Sequence, residues 1–214
     1  MSYLVNLSIQ GKRAVVVGAG AVAHRKAQGL LEAGARVTVV APEACEGLLA
    51  LAAEGRLELH RKAYDAGELE GAALVLAATD DETVNARVSA DCSRLGLPIN
   101  VADRPALCTF TLPAVVRRGD LTLAVTTEGR CPAFARALRE ELEGRYGEVY
   151  GEALEFMGRL RDVMLSEGWD SARIQKALAG LYADGIVTVI QSRDAEALAA
   201  FLRDRLGPGF PLPS

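Results

Sequence analysis

Residues 14–23 read Ala-Val-Val-Val-Gly-Ala-Gly-Ala-Val-Ala, an apolar run followed by two glycines one residue apart and a small residue three positions later. This spacing is the G-x-G-x-x-A form of the dinucleotide-binding fingerprint. Gly18 permits the tight turn out of the strand, and Gly20 lets the backbone approach a pyrophosphate because it carries no Cβ. The free N–H groups of the following helix, beginning with those of Ala21 and Val22, then face the phosphates.

The residues that follow the fingerprint supply the context that it needs. A helix with an apolar face ends near Gly34, which stands where a C-cap is expected. A second apolar run at residues 36–40 completes a β-α-β unit of about 30 residues. The alternative interpretation is a β-α-β unit that merely has a glycine turn.

The rest of the chain extends this unit into an α/β fold with a Rossmann-type parallel sheet. Further strands are predicted at residues 57–60, 73–78 and 98–102, with helices near 45–54 and 82–95. The pattern changes after Pro105, where residues 108–116 and 121–127 read as strands and a helix opens at Pro132. Residues 146–214 are helical by periodicity, except that 186–190 fit either a helix or a strand. A mixed α/β segment and a small helical C-terminal domain are therefore expected after the sheet.

The amino-acid composition argues against several classes of protein. The chain has 214 residues and a formal net charge of −4, which argues against general nucleic-acid binding. It has no apolar run approaching ~18 residues and no signal-peptide pattern, so we expect neither a membrane span nor export. The four cysteines form no C-x-x-C pair, which favours free thiols in a reducing cytoplasm over a metal site.

Positive charge is concentrated in the middle of the chain. Residues 104–139 contain six arginines, no lysine and two acidic residues, whereas the segments on either side are acidic. Arginine is suited to bidentate binding of carboxylates or phosphates. These side chains are therefore candidates for an anion site, and the alternative is a solvated surface.

Several polar residues follow strands at the edge where a cofactor crevice is expected. Pro42 and Glu43 follow the second strand, and Glu43 is the first carboxylate that could bind the adenosine ribose. Because no arginine follows that strand closely to hold a 2′-phosphate, NAD is favoured over NADP. Thr79 and Asp80 follow the fourth predicted strand.

Asp103 follows the fifth predicted strand and is followed at once by Arg104 and a proline. A carboxylate at a crevice mouth can act as a general base. The alternative is that Asp103 only forms a turn or caps a helix.

Taken together, four separated sets of residues resemble precorrin-2 dehydrogenase, the N-terminal part of siroheme synthase. The sets are the fingerprint with its β-α-β unit, residues 77–81 with 84–85, residues 100–103, and a group spread over residues 110–136. The resemblance covers residues 3–165 well and the remainder loosely.

The resemblance implies NAD-dependent oxidation of precorrin-2 to sirohydrochlorin, with Fe(II) insertion to siroheme in some members. It implies Asp103 as the catalytic residue and a homodimer built through the middle segment. The NAD-binding residues would be Gly18, Gly20, Ala21, Val22, Pro42, Glu43, Thr79 and Asp80. The tetrapyrrole substrate carries eight carboxylates, and the residues expected to bind it are Arg104, Arg117, Arg118, Arg130, Cys131 and Arg136.

On this basis we expect an NAD-binding Rossmann domain at 1–112, a dimerisation segment at 113–146 and a helical domain at 147–214. No methyltransferase domain is expected to follow. Cys131 departs from the serine that the family often has, and it is either a reactive thiol or a tolerated small residue. The sequence offers no metal-ligand pair. The competing hypothesis is an NAD-sensing binding module without catalysis.

Overall fold

The computed structural model describes residues 3–212 and divides the chain into two compact units, Met1–Leu112 and Pro113–Ser214. The division falls after the same residue as the first predicted domain boundary. The further boundary at residue 146 and the assignment of a role to each domain stay predictions. The outermost residues of the predicted domains, 1–2 and 213–214, lie outside the described residues.

The first unit is built on a five-stranded parallel sheet with strand order β3-β2-β1-β4-β5. Its strands are β1 (Arg13–Val17), β2 (Arg36–Val40), β3 (Glu58–His60), β4 (Ala72–Ala77) and β5 (Ile99–Val101). Its helices are α1 (Ala21–Glu32), α2 (Glu46–Ala53) and α3 (Glu82–Leu95). This arrangement confirms the predicted Rossmann-type sheet.

The central strand β1 is buried on both faces, which explains its unbroken apolar run. Ala14 and Val16 belong to a core that includes residues of α1 and α2. Val15 and Val17 point to the opposite face, in a second core that includes Val88 of α3. The alternation of side chains along one strand therefore anchors both helical layers.

The strand predicted at residues 108–113 is wrong, because this segment is an irregular loop. Thr109 makes the two shortest hydrogen bonds of this segment with β5: its N–H donates to the Ile99 carbonyl at 2.8 Å, and its hydroxyl accepts from the Ile99 N–H at 2.8 Å. One residue thus satisfies both backbone groups of Ile99, and the chain leaves the sheet without forming a ladder.

The second unit begins with an antiparallel hairpin of β6 (Ala114–Arg118) and β7 (Leu121–Val125), as predicted for this part of the pattern. Up to residue 212, five helices follow: α4 (Pro132–Arg145), α5 (Val149–Ser166), α6 (Ser171–Ala183), α7 (Ile186–Gln191) and α8 (Ala195–Leu206). The ambiguous residues 186–190 lie in α7. Their side chains join a helical core centred on Leu160, Leu181, Ile186 and Leu202, which needs a 3.6-residue period.

A buried carboxylate stabilises the β3 edge of the sheet. Glu68 lies in a short 3₁₀ turn and its side chain is 8% exposed. It accepts from Lys62 at 2.5 Å and from the His60 Nδ1 at 2.7 Å. The hydrogen bond from Lys62 lowers the pKa of Glu68 most, burial opposes that shift, and His60 adds to the lowering.

We expect Glu68→Gln to reduce the free energy of unfolding by about 1–3 kcal/mol at pH 7, because one charge-assisted partner is lost in a buried position. A depressed pKa stabilises the fold above the unfolded value of about 4.3, and this contribution disappears as the pH falls through the folded value. The difference from the wild type should therefore shrink toward pH 3. Urea unfolding at the two pH values measures it, and Glu70→Gln at the exposed neighbouring position is the control. Equal losses in both variants would contradict the prediction.

Candidate active site

The carboxyl ends of the central strands are joined by backbone hydrogen bonds that continue past the strands. The Gly18 N–H donates to the Val40 carbonyl at 2.9 Å, and the Ala78 N–H donates to the Val17 carbonyl at 2.8 Å. The Ala102 N–H donates to Ala77 at 2.8 Å. The turns after β1, β4 and β5 therefore meet at one edge. Because the strand order reverses between β1 and β4, this edge is where an open α/β sheet forms its ligand crevice.

Gly18 makes the closest approach at this edge. Its φ is +102°, and a Cβ placed on it would lie 2.3 Å from the Ala78 carbonyl oxygen. Glycine is required there on both conformational and steric grounds. The first glycine of the fingerprint thus sets how tightly the turn after β1 packs on the end of β4.

Gly20 occupies a different environment. It is the N-cap of α1 with an ordinary φ of −83°, and a Cβ added to it would meet no atom within 4 Å. The next residues, Ala21 and Val22, are exposed and belong to the first turn, whose N–H groups have no acceptor within the helix. No side chain caps Gly20. This open, uncapped helix end fits a pyrophosphate, since its N–H groups and dipole favour an anion.

Pro42 and Glu43 are exposed in the loop after β2, as the sequence predicts. The loop is held at both ends: the Ala41 N–H donates to His60 at 3.1 Å, and the Cys45 N–H donates to Ala19 at 2.9 Å. The second of these bonds ties the loop directly to the fingerprint turn. Glu43 therefore lies on a loop that is tied to the fingerprint turn.

Thr79 and Asp80 follow β4, and a buried asparagine fixes their loop. Asn85 is 4% exposed; its amide donates to the Thr79 carbonyl at 2.8 Å and accepts from the Thr79 hydroxyl at 3.0 Å. The carboxylate of Asp81 caps α3 by accepting from the N–H groups of Thr83 and Val84. Asn85 thus shapes this loop from a buried position.

Asp103 lies in the turn after β5, exposed to solvent. Its φ is +56°, a left-handed conformation that few residues other than glycine, asparagine and aspartate adopt. Arg104, which is predicted to bind substrate, forms an ion pair with Glu82 at the start of α3. The turn therefore presents Asp103 while its neighbour is engaged with the adjacent helix.

Lys26 is a residue of this edge that the site prediction missed. It lies on α1 three residues after Ala23 and four before Leu30, both of which are buried. Its Nζ donates to the Asn100 Oδ1 at 2.7 Å. Burial, followed by the nearby charge of Arg25, lowers the pKa of Lys26, while Cys108 and Asp103 oppose the shift. The signal in the sequence was a lysine on the apolar face of the fingerprint helix.

The remaining predicted residues lie in the second unit, and Arg118 is used inside it. Its side chain is 12% exposed. The guanidinium donates to the carbonyls of Tyr146 at 2.9 Å and Glu143 at 3.1 Å, and it pairs with Glu148 at 3.3 Å. These contacts join the β6–β7 hairpin to the region between α4 and α5.

Three other predicted residues lie near the start of α4. Cys131 is the exposed N-cap residue, but its side chain makes no capping bond. Arg130 is exposed, and Arg136 pairs with Glu140 at 2.9 Å. Arg117 lies on β6, where it pairs in register with Thr122 of β7. The structure thus groups the predicted cofactor residues and Asp103 in the first unit and most predicted substrate residues in the second.

The four cysteines are free thiols. Burial raises the pKa of Cys92 to about 11, whereas Cys131 is exposed. Among residues 3–212 no group of three or more histidine, cysteine or acidic side chains is arranged to hold a metal ion. Over the same residues, no helix is both long and apolar enough to cross a membrane.

Comparisons with known proteins match both units. Residues 5–114 match the family described as putative NAD(P)-binding, and residues 118–145 match the family described as sirohaem biosynthesis protein central. Siroheme synthase of Pseudomonas entomophila (strain L48) is 47% identical over 154 residues, which cover 72% of this chain and 33% of that protein. Siroheme synthase of Pseudomonas aeruginosa (strain UCBPP-PA14) is 44% identical over 161 residues, covering 73% and 35%. The chain thus spans about a third of the length of these curated relatives.

The solved structure of SirC, precorrin-2 dehydrogenase, matches with a TM-score of 0.76 and 26% identity. The match covers 96% of this chain and 99% of that chain. The resemblance inferred from separated sequence motifs is therefore confirmed, as is the fold. The cofactor class is a nicotinamide dinucleotide, and the comparisons leave the choice between NAD and NADP open.

The two glycines give opposite predictions for alanine substitution. Gly18→Ala should lower the free energy of unfolding by about 3 kcal/mol, because the methyl group meets the Ala78 carbonyl in a left-handed backbone. Gly20→Ala should cost less than about 1 kcal/mol, because the space is open.

The Gly20 variant should nevertheless weaken dinucleotide binding about tenfold, which corresponds to about 1.4 kcal/mol, since the methyl group would occupy the approach to the phosphates. Urea unfolding and titration calorimetry with NAD measure the two effects. Gly55→Ala, at a left-handed turn after α2, is the control for strain away from the crevice. Unchanged binding by a folded Gly20→Ala protein would rule out this pyrophosphate site.

Proposed function

The chain belongs to the putative NAD(P)-binding family, with siroheme synthases and a precorrin-2 dehydrogenase among its relatives, and on this basis we propose that it oxidises precorrin-2 to sirohydrochlorin. The proposed hydride acceptor is NAD. One observation of the molecule carries the proposal: an exposed aspartate, held in a left-handed turn, stands at the same sheet edge as an uncapped fingerprint helix.

The oxidation removes two hydrogens from the macrocycle. When bound, the nicotinamide accepts one of them as a hydride, which carries both electrons and yields NADH. The second hydrogen leaves as a proton, and the Asp103 carboxylate is the proposed base that accepts it. Because Asp103 is exposed, it can release this proton to water after the step.

Eight residues of the first unit are proposed to hold the dinucleotide. Gly20, Ala21 and Val22 would bind the pyrophosphate through their backbone N–H groups. Gly18, whose own N–H donates to the Val40 carbonyl, would hold the turn that lets the phosphates approach. Glu43, beside Pro42, would accept from the adenosine ribose, and its carboxylate disfavours the 2′-phosphate of NADP. Thr79 and Asp80, on the loop fixed by Asn85, would line the far side of the crevice.

The arginine-rich segment is proposed to attract the carboxylates of the substrate. Arg117, Arg130 and Arg136, with the N-cap thiol Cys131, are the proposed direct contacts. Arg118 is 12% exposed and donates to two backbone carbonyls, so it would contribute positive charge rather than a direct contact. Arg104, which pairs with Glu82 as Arg136 pairs with Glu140, remains a proposed contact. An acidic chain with one positive segment can steer a polyanion to that segment.

A homodimer formed through residues 113–146 is part of this proposal. A two-stranded hairpin is marginal by itself, and β6 and β7 leave backbone edges for further pairing. Phe134, in the first turn of α4, is 56% exposed and would be covered by a partner. Free thiols suit a reducing compartment, and we propose the cytoplasm.

The test is an anaerobic absorbance assay with precorrin-2 and NAD. The wild type should form NADH and sirohydrochlorin. Asp103→Asn, which tolerates the left-handed turn but cannot accept the proton, should lower kcat by about 10²–10⁴-fold. Its affinity for NAD should stay within about twofold of the wild type. Asp120→Asn, in the turn between β6 and β7, is the matched control and should keep full activity.

The other outcomes distinguish the alternatives. NAD binding without NADH formation by the wild type would favour a sensing module. Full turnover by Asp103→Asn would remove the role of Asp103. Fe(II) is then added to the sirohydrochlorin formed, and siroheme appearing faster than in an enzyme-free control would add the predicted iron insertion. The macrocycle supplies its own four nitrogens, so that step demands no metal ligands from the protein.

A further inference from the structure

Lys26 is a half-buried cation directed at the end of β5. It belongs to the face of α1 that packs on the sheet, and its ammonium donates to the Asn100 amide oxygen at 2.7 Å. A buried cation is costly unless it is paired, and a neutral donor could make the same hydrogen bond at a lower cost. The presence of a charged side chain at this position therefore needs a reason beyond the hydrogen bond to Asn100.

Asn100 transmits the contact from Lys26 to the segment that carries Asp103. Because its Oδ1 accepts from Lys26, its Nδ2 is directed at the Phe110 carbonyl, 3.1 Å away, and toward the Cys108 sulfur, 3.6 Å away. The Lys26 bond thus fixes which way the amide points. A freely rotating Asn100 would lose its hold on the segment that follows Asp103.

The thiol of Cys108 closes this segment back onto the strand. Its Sγ accepts from the Val101 N–H at 3.1 Å and can donate to the Arg104 carbonyl at 3.3 Å. Asp103 lies between these two attachment points. The turn is therefore held on both sides by contacts that lead back to Asn100 and Lys26, which is how a left-handed aspartate can be kept in place.

The charges around Lys26 come from its own helix and from the facing turn. Arg25 on α1 repels it, Asp103 in the turn after β5 attracts it, and Asn100 on β5 is neutral. The interaction with Asp103 is reciprocal, so the ammonium also attracts the Asp103 carboxylate. Lys26 thus acts on Asp103 in two ways: through the hydrogen bonds of Asn100, and through the electrostatic attraction between its ammonium and the Asp103 carboxylate.

We propose that Lys26 is the positioning residue for Asp103, and that its charged ammonium holds the Asp103 turn and carboxylate in the orientation that accepts the proton. The inference rests on the proposed function, because it takes Asp103 as the base. Lys26 itself exchanges no proton with the substrate. It acts on kcat rather than on the binding of either reactant.

The first test compares three variants in the precorrin-2 and NAD assay. Lys26→Met keeps the length of the side chain without the charge and should lower kcat about 10–100-fold, with both KM values within about twofold. Lys26→Arg keeps the charge and should restore kcat to within about threefold of the wild type. Lys12→Met removes an exposed lysine at the opposite end of β1 and should leave the kinetics unchanged. A wild-type kcat in a folded Lys26→Met protein would overturn the inference.

The pH dependence of kcat distinguishes a role for the charge of Lys26 from a role for the volume of its side chain. Because the pKa of Lys26 is lowered by burial, wild-type kcat should fall at a pH below the ordinary lysine value of about 10.4. The sign follows from the active form: the ammonium is lost as the pH rises. Lys26→Arg should move this alkaline limb to higher pH, and Lys26→Met should abolish it. An alkaline limb that stays in place in both variants would contradict a role for the charge.

A double variant tests whether Lys26 acts through Asp103. In an Asp103→Asn background, Lys26→Met should lower kcat by less than about twofold, because the group that it positions is already gone. If Lys26→Met lowers kcat by the same factor in the Asp103→Asn background as in the wild type, Lys26 does not act through Asp103. A wild type without dehydrogenase activity would instead remove the proposed function, so the two failures are distinguishable. Melting temperatures of all variants identify any loss of fold, and the Lys26→Arg profile then decides the question alone.

Discussion

The close approach of the β1 turn to the end of β4 is the constraint on which the functional edge depends. The Ala78 carbonyl lies where any side chain at residue 18 would begin, so the two central strands can end together only if a glycine separates them. Their proximity lets the Val17 carbonyl accept a hydrogen bond from the Ala78 N–H, beyond the end of β4. A glycine that carries no side chain thus determines where the helix N-terminus and the later loops stand.

The parts of the fold that the sequence predicted are those governed by local periodicity. Apolar runs bounded by glycines located the five parallel strands and their helices, since strand and helix periods differ. The strand predicted at 108–113 was wrong because the extended, apolar character of this segment matches a strand. Its hydrogen bonds to β5 are instead separate contacts of Cys108, Thr109 and Phe110, several of them through side chains. Residues 186–190 were ambiguous because a run of β-branched residues suits either structure, and only their place in the helical core decides it.

The site residues that could be predicted are those whose backbone conformation is required by a sequence motif. Residues that contact each other only across a long stretch of chain were harder to predict. Gly18 and Gly20 followed from spacing, and Asp103 from its place after a strand. Lys26 and Asn100 are 74 residues apart, and no local pattern reveals that they meet. Arg118 is the opposite case. Its positive charge predicted a contact with the substrate, but its guanidinium donates to the carbonyls of Tyr146 and Glu143. The sequence alone does not show that α4 ends beside the hairpin.

The left-handed turn at Asp103 has an evolutionary consequence. The residues that fit such a backbone most easily are glycine, asparagine and aspartate, and only the last carries a carboxylate. A random change at this position therefore either strains the chain or leaves a folded dinucleotide-binding protein without the carboxylate that we propose as its base. A lineage released from selection for catalysis has a short, structurally neutral path toward a nucleotide sensor. If the proposed role of Asp103 holds, the identity of this one residue separates enzymes from non-catalytic descendants among related chains.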